Sequence, residues 1–394
     1  MIENALLLKL LATYGSPLYV YDGDRFWQNL QAIPQQVGYP HTSYCFASVT
    51  NGNISLLQIA QKSGWGLHAN TPGDIYLGLN AGFSPDQIIY SGSNLSREDM
   101  VQVLEWGVST FNLDSLCQLE QLCEMSLTIP DLRLGLRLND PSLTAESRIG
   151  VQPQEFAIAV AIAERFGRQI QGLHFYRGTG TNATKAFTTT IDRLLTLGKT
   201  LPHWQYLDFG GGFGYPYRHG KAAFEWGEFG QAISQKLEGT NIHLILEPGR
   251  NVIAECGILL TTVVAVKYQR EKQIVGVDTT IANLTAPNVY GDYRQIIALQ
   301  ENDKQVITDV CGNTTYSGDY LGRNINLPPL ERGDTLAILD VGAYGYAMSS
   351  HFLHRPKPAE VLIKGGDHYL IREREDYSVL LSKQTLMEQI DEMH

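Results

Sequence analysis

Tyr206-Leu207-Asp208-Phe209-Gly210-Gly211-Gly212-Phe213-Gly214 decides the fold, together with its counterpart His243-Leu244-Ile245-Leu246-Glu247-Pro248-Gly249-Arg250. Each begins with a short apolar run that reads as a buried strand. Each ends in a glycine-rich turn. Successive glycines let backbone N–H groups approach an anion closely, and Arg250 adds a planar charged fork. Loops at strand ends are where α/β barrels collect their ligands. A phosphorylated cofactor or substrate is therefore expected here.

Strand and helix alternate on the N-terminal side of these loops. Strands are expected at 17–21, 42–46, 66–69, 87–91, 109–113, 132–138 and 170–176, with helices between them. The helix from Ile54 to Lys62 ends at Ser63-Gly64, a common stop signal. About eight strand-helix units result, the pattern of a (β/α)8 barrel. After Ala254 helical periodicity fades and β-branched runs dominate, at 259–266, 273–277, 305–310, 335–339 and 359–363. A second, mostly antiparallel β domain is expected there. The barrel is placed at 24–254, and the β domain at 1–23 with 255–394.

Composition narrows the functional classes. A chain of 394 residues suffices for two domains with large cores. Its formal charge of -11 argues against a nucleic-acid partner, which would want a basic face. No apolar run reaches the roughly 18 residues of a membrane span. The N-terminal residues lack a basic region and a cleavage site, so they read as a short helix and not a signal peptide. The five cysteines (Cys45, Cys117, Cys123, Cys256 and Cys311) show no metal-ligand spacing. No metal site is expected. A reducing cytoplasm with mostly buried thiols, Cys311 among them, fits this pattern.

The ordered motifs resemble those of the fold-type III pyridoxal-phosphate decarboxylases, the ornithine/diaminopimelate/arginine decarboxylase group. The likeness runs from Pro17-Leu18-Tyr19-Val20-Tyr21 through Gly64-Trp65-Gly66, Asn112-Leu113-Asp114-Ser115 and Arg137-Leu138-Asn139. It continues through Gly172-Leu173-His174, Tyr316-Ser317-Gly318-Asp319 and Gly342-Ala343-Tyr344-Gly345-Tyr346 to Pro358-Ala359-Glu360-Val361-Leu362. The resemblance implies a barrel plus a β domain, pyridoxal phosphate as cofactor, an amine or amino-acid substrate, and a homodimer. It assigns Gly210, Gly211, Gly212, Gly214, Gly249, Arg250 and Tyr344 to the phosphate. Glu247 falls to the pyridine nitrogen. In the family, the segment matching Thr315 to Asp319 reaches the partner's pocket, where Tyr316 would act as an aromatic anchor.

The departures fall on the chemistry. The family's Tyr-Ala-Val-Lys-Ala-Asn strand corresponds to Phe46-Ala47-Ser48-Val49-Thr50-Asn51, so Val49 stands where the cofactor-linking lysine would be. Its neighbouring aspartate corresponds to His68, and the histidine that stacks on the pyridine ring corresponds to Tyr176. The Cys-acid pair corresponds to Thr315-Tyr316. An arginine some members use for a distal carboxylate corresponds to Ala286. Pyridoxal phosphate is therefore expected to be held non-covalently. His68, Tyr316 and Lys185 are the candidate catalytic groups, Lys185 as an alternative amine. A protonated His68 would repel a lysine restored at position 49.

Each residue also has a plainer use. The glycines fit a tight turn, Glu247 a helix cap, Arg250 a surface ion pair, Tyr176 core packing and Lys185 a solvated surface. His174 fits a place below the site, and Tyr346 a core position. Three functional classes follow: an enzyme of amino-acid chemistry, a non-catalytic homologue with a binding or regulatory role, or a pocket reused for another phosphorylated metabolite.

Overall fold

The computed structural model describes residues 2–144, 147–178, 180, 182–218, 220–300 and 302–385. They form two units. One holds Gly23–Cys256 with Gly342–Ala347. The other holds Gly257–Val341 with the segments before Gly23 and after Ala347.

A first strand, β1 (Leu18–Asp22), belongs to the second unit. Eight parallel strands then close a barrel: β2 (Thr42–Ala47), β3 (Gly66–Ala69), β4 (Ile88–Tyr90), β5 (Thr110–Leu113), β6 (Arg133–Arg137), β7 (Ile170–His174), β8 (Tyr206–Asp208) and β9 (His243–Leu246). Thr42 to Tyr44 pair with Leu244 to Leu246 to complete the ring. The strands read as unbroken apolar runs because helices cover the outside and side chains fill the inside. β4, β5 and β8 are buried at every residue.

Local chemistry starts and stops the covering helices. Thr71 accepts from the Asp74 backbone while Asp74 returns a bond, a reciprocal cap on Pro72–Ala81. Asn53 and Ser115 cap Ile54–Lys62 and Leu116–Met125 with a single accepting side chain each. Inside the barrel, Tyr206 lies across the axis. A Cβ at Gly172 would come within 1.9 Å of its ring, so a glycine is what admits it.

The second unit is a nine-stranded sheet. Its further strands are β10 (Gly257–Gln269), β11 (Lys272–Val277), β12 (Ile296–Ala298), β13 (Val306–Cys311), β14 (Tyr320–Leu327), β15 (Thr335–Ile338), β16 (Ala359–Lys364) and β17 (Asp367–Arg372). The order is β14-β13-β11-β10-β1-β16-β17, with β15 on β10 and β12 on β15. Most pairs are antiparallel; β1–β16 and β11–β13 are parallel. Helix Asn4–Tyr14 packs Leu7 and Leu10 against Leu18, Val20, Leu260 and Val361, so burial of that face holds the N-terminal helix on the sheet.

Two features differ from the sequence reading. Gly342–Ala347 belongs to the barrel unit, because Asn51 Nδ2 donates to the Gly342 carbonyl (3.1 Å) and the Tyr344 N–H to that of Thr50 (2.8 Å). Cys311 is half-buried, since it lies at the end of β13, and Cys117 is exposed. All five cysteines are free thiols. Among the described residues no helix is long and apolar enough to cross a membrane.

Candidate active site

Three loops converge at the C-terminal mouth of the barrel. The Glu247 N–H donates to the Gly210 carbonyl (2.8 Å), and the Ala47 N–H to that of Pro248 (3.5 Å). The glycine loop, the Glu247-to-Arg250 loop and the turn after β2 are thus joined backbone to backbone. Gly210 and Gly212 have φ of 66° and 89°, where only glycine is unstrained. A Cβ at Gly211 would lie 2.7 Å from the Glu247 carbonyl oxygen, so this glycine sets how closely the two loops approach. Asn251 Nδ2 donates to the Gly214 carbonyl (2.6 Å) and Oδ1 accepts from Trp226 Nε1 (2.8 Å), which anchors the far end of the glycine loop.

Arg250 is buried beneath two aromatic rings. Its guanidinium carbon lies 4.9 Å from the Tyr344 ring centre and 5.6 Å from that of Tyr217. Nη1 donates to the Tyr217 hydroxyl (3.4 Å). Tyr344 has φ of 60°, a left-handed conformation that is uncommon for a tyrosine. Its N–H bond to Thr50 holds it there.

Below the loops lies a buried polar layer. Glu247 Oε2 is 3.4 Å from the Nε2 atoms of both His68 and His174. Asp208 accepts from the Gly210 N–H and from Asn112 Nδ2, both at 2.9 Å. Asn112 Oδ1 accepts from the Tyr206 hydroxyl (2.9 Å). Burial dominates the titration of this layer. It pushes the Glu247 carboxyl up to about 7, against a hydrogen bond from Asp208 and the charge of Arg137. Burial, then the Glu247 charge, holds Asp208 well above the usual range. Both carboxyls are thereby pushed toward their protonated forms. Burial brings His174 down to about 4 and holds His68 well below the ordinary value, with His174 and Arg137 adding to the effect on His68. Both imidazoles are therefore neutral. The expectation of a protonated, repelling His68 is corrected accordingly.

These shifts carry a stability signature. A carboxyl with a raised folded-state pKa favours folding below its unfolded value and loses that contribution as pH rises through the folded one. For Glu247 the window runs from the ordinary carboxyl value to about 7. The depressed His174 acts at the other side: its contribution is complete above the ordinary imidazole value and is lost as pH falls through about 4. Glu247→Gln removes the first effect and relieves part of the upward push on Asp208. The variant should gain on the order of 1–3 kcal/mol relative to wild type between about pH 5 and about pH 8. Urea midpoints of the cofactor-free proteins at both pH values give this difference, and an unchanged difference would refute the assignment.

The sequence-identified residues divide into two groups. The structure brings together Gly210, Gly211, Gly212, Gly214, Gly249, Arg250, Tyr344, Glu247 and His68. Tyr176 adjoins them, with the Arg137 guanidinium 5.3 Å from its ring centre. Val49, 43 % exposed, follows β2 in the Ser48–Thr50 turn, beside His68 on the neighbouring strand. Lys185 is exposed on the short helix Thr184–Thr188, and the flanking Thr179 and Thr181 lie outside the described residues. Tyr316 is in the β unit, edge-on to Phe352 at 5.8 Å. Ala286 is also in the β unit and fully buried. His174 was expected below the site yet touches Glu247 directly. Sequence reasoning missed Asp208, Asn112 and Arg137 as members of the site. A polar residue within an otherwise apolar strand was the available signal for each.

The arrangement fits a pyridine ring bearing a phosphate. Glu247 Oε1 is buried and has no hydrogen-bond partner among the described residues, which suits a ring N–H. The glycine loop and Arg250 bring backbone and guanidinium donors to the same mouth of the barrel, which suits a phosphate.

Comparison with known proteins gives the family. The family model described as pyridoxal-dependent decarboxylase, pyridoxal binding domain, matches residues 25–254. Diaminopimelate decarboxylase from Methanothermobacter thermautotrophicus is 32% identical over 98% of this chain and 95% of its own length. That from Aquifex aeolicus is 29% identical over 96% of this chain and 94% of its own length. The crystal structure of diaminopimelate decarboxylase from Helicobacter pylori complexed with L-lysine superposes with a TM-score of 0.88 at 26% identity. It covers 95% of this chain and 98% of that one. The chain belongs to the pyridoxal-dependent decarboxylase family, of fold-type III, whose cofactor is pyridoxal phosphate.

Proposed function

We propose that this family member holds pyridoxal phosphate without covalent attachment and acts as a lyase on an amino acid. The observation that carries the reading is Val49, a residue with no amine at the mouth of a barrel that keeps the glycine cradle, Arg250 and Glu247. When bound, the cofactor supplies a ring that accepts electrons from the substrate's α-carbon. The chain's own groups do the rest. Glu247 would face the ring nitrogen and favour its protonated form, with Asp208 and His174 packed against the Glu247 carboxyl. Tyr176 would supply an aromatic face for the ring, in place of an imidazole. His68 is neutral, and both of its ring nitrogens are buried without a hydrogen-bond partner among the described residues. It is suited to hold or accept a proton at Nε2 or Nδ1.

The test combines equilibrium dialysis with peptide mapping. Pyridoxal phosphate should bind and be fully recovered from denatured protein, and borohydride should leave no adduct on any peptide. A lysine adduct, on Lys185 or elsewhere, would overturn the non-covalent reading. Carbon dioxide release from a panel of amino acids then tests the lyase assignment separately, and a complete absence of release would favour the non-catalytic homologue.

We also infer a homodimer. Tyr316 and Phe352, 46 % and 51 % exposed, form an aromatic pair on the β unit suited to anchor an interface. Light scattering at micromolar concentration should give twice the chain mass, and Tyr316→Ala should shift the protein toward monomer. A monomeric wild type would refute this.

A further inference from the structure

The opposite, N-terminal mouth of the barrel holds a second polar cavity, of about 290 Å³. It is lined by the first residues of β2 to β6 and β9, together with the turn before β4. Cys45, Ile89 and Ile245 line it and cluster with the buried Tyr206. This apolar layer separates it from the Glu247 layer above.

The charges of this cavity are arranged unusually. Arg133 lies with its guanidinium carbon 4.6 Å from the Tyr206 ring centre. Among the described residues that guanidinium makes no hydrogen bond or ion pair. The Asp86 carboxylate, on the same rim, has no such partner either. The two do not pair with each other, although they share one small cavity. Elsewhere in this unit similar charges have found partners: Arg193 with Asp140 at 3.0 Å and Arg25 with Glu255 at 2.9 Å. Thr110 and the His243–Ser43 pair, Nε2 to Oγ at 2.9 Å, line the same cavity. His243 is held below its ordinary pKa by burial and by the charges of Arg133 and His41, so the cavity carries its positive charge on Arg133.

A cavity lined by a half-buried cation, an exposed rim carboxylate and hydroxyls is complementary to a ligand carrying both charges. A simple anion would meet Asp86, and a simple cation would meet Arg133. The volume is at the lower end of the roughly 300–1,000 Å³ of ligand pockets, so the ligand is small. We propose that the N-terminal mouth of the barrel is a binding site for a free amino acid, with its α-carboxylate on Arg133 and its ammonium on Asp86. The guanidinium fork matches a carboxylate in two parallel bonds, and its stacking on Tyr206 fixes the plane of the fork. This site is distinct from the cofactor end and does not depend on the function proposed for it.

Isothermal titration of the cofactor-free protein with each common amino acid, with acetate and with methylamine tests the assignment. At least one amino acid should bind, more tightly than either single-charge probe. Its N-acetyl and amide derivatives should bind about tenfold or more weaker, as should the parent amino acid with Arg133→Gln or Asp86→Asn. Arg250→Ala, at the other mouth, should leave the titration unchanged. Circular dichroism melts of the two rim variants show that each still folds. No binding by any amino acid, equal binding of acetate, or binding lost with Arg250→Ala but kept with both rim variants would overturn the proposal.

Discussion

Gly211→Val is expected to abolish cofactor binding, a larger effect than the loss of any single side chain at the site. The reason lies in the scaffold. A Cβ here would lie 2.7 Å from the Glu247 backbone oxygen, a contact that real Cβ atoms do not make. Valine adds two further methyl groups. The glycine loop would have to move away from the loop that carries Glu247 and Arg250, which separates phosphate donors from nitrogen partner in one step. Arg250→Ala is the milder comparison. It removes a charged hydrogen bond worth about 1.5–3 kcal/mol, a tenfold or greater loss of affinity. It also strips the cation from the Tyr344 and Tyr217 rings. Fluorescence titration with pyridoxal phosphate would order the three proteins as wild type, Arg250→Ala, Gly211→Val. A Gly211→Val titration curve that overlays wild type would show that the phosphate binds elsewhere.

The fold was legible where physics is local. Parallel barrel strands are buried on both sides, so Tyr206–Asp208 and His243–Leu246 read directly as apolar runs closed by glycine turns. The β unit was less legible. Strand β14, Tyr320-Leu321-Gly322-Arg323-Asn324-Ile325-Asn326-Leu327, carries a glycine, two asparagines and an arginine, and has only its last residue buried. Nothing in its own sequence requires a strand; pairing with β13 makes it one. Strand β17 is likewise mostly exposed and is specified by its partner β16. The site follows the same division. Glycines and Arg250 announce themselves in sequence. The sharing of Glu247 by His68 and His174 depends on side chains from β3, β7 and the loop after β9 meeting on the barrel axis, which no local pattern encodes.

Val49→Lys combined with His68→Asp is expected to convert the site to covalent cofactor attachment, whereas either change alone should do so poorly. Ala47 pairs with His68 across β2 and β3, and Val49 lies two residues beyond. A lysine at position 49, two residues beyond Ala47, is long enough to reach toward His68. Because His68 is neutral, it does not repel that amine; it fails to attract or orient it. The single lysine gains a charge with no dedicated counter-charge. The single His68→Asp change is worse placed still. It sets a third carboxyl beside the buried Glu247 and Asp208, and a further negative charge there is costly in a buried layer. In the double variant each introduced charge removes the other's penalty. The coupling should fall in the range of about 0.5–3 kcal/mol seen for contacting residues. The fraction of protein carrying a borohydride-fixed pyridoxyl mass at position 49 measures it directly. The order should be none in wild type and in His68→Asp, a minor fraction in Val49→Lys, and the largest in the double variant. If the double variant were modified no more than Val49→Lys, the two positions would not act as a pair. His68 would then owe its place to the shared contact with Glu247 alone.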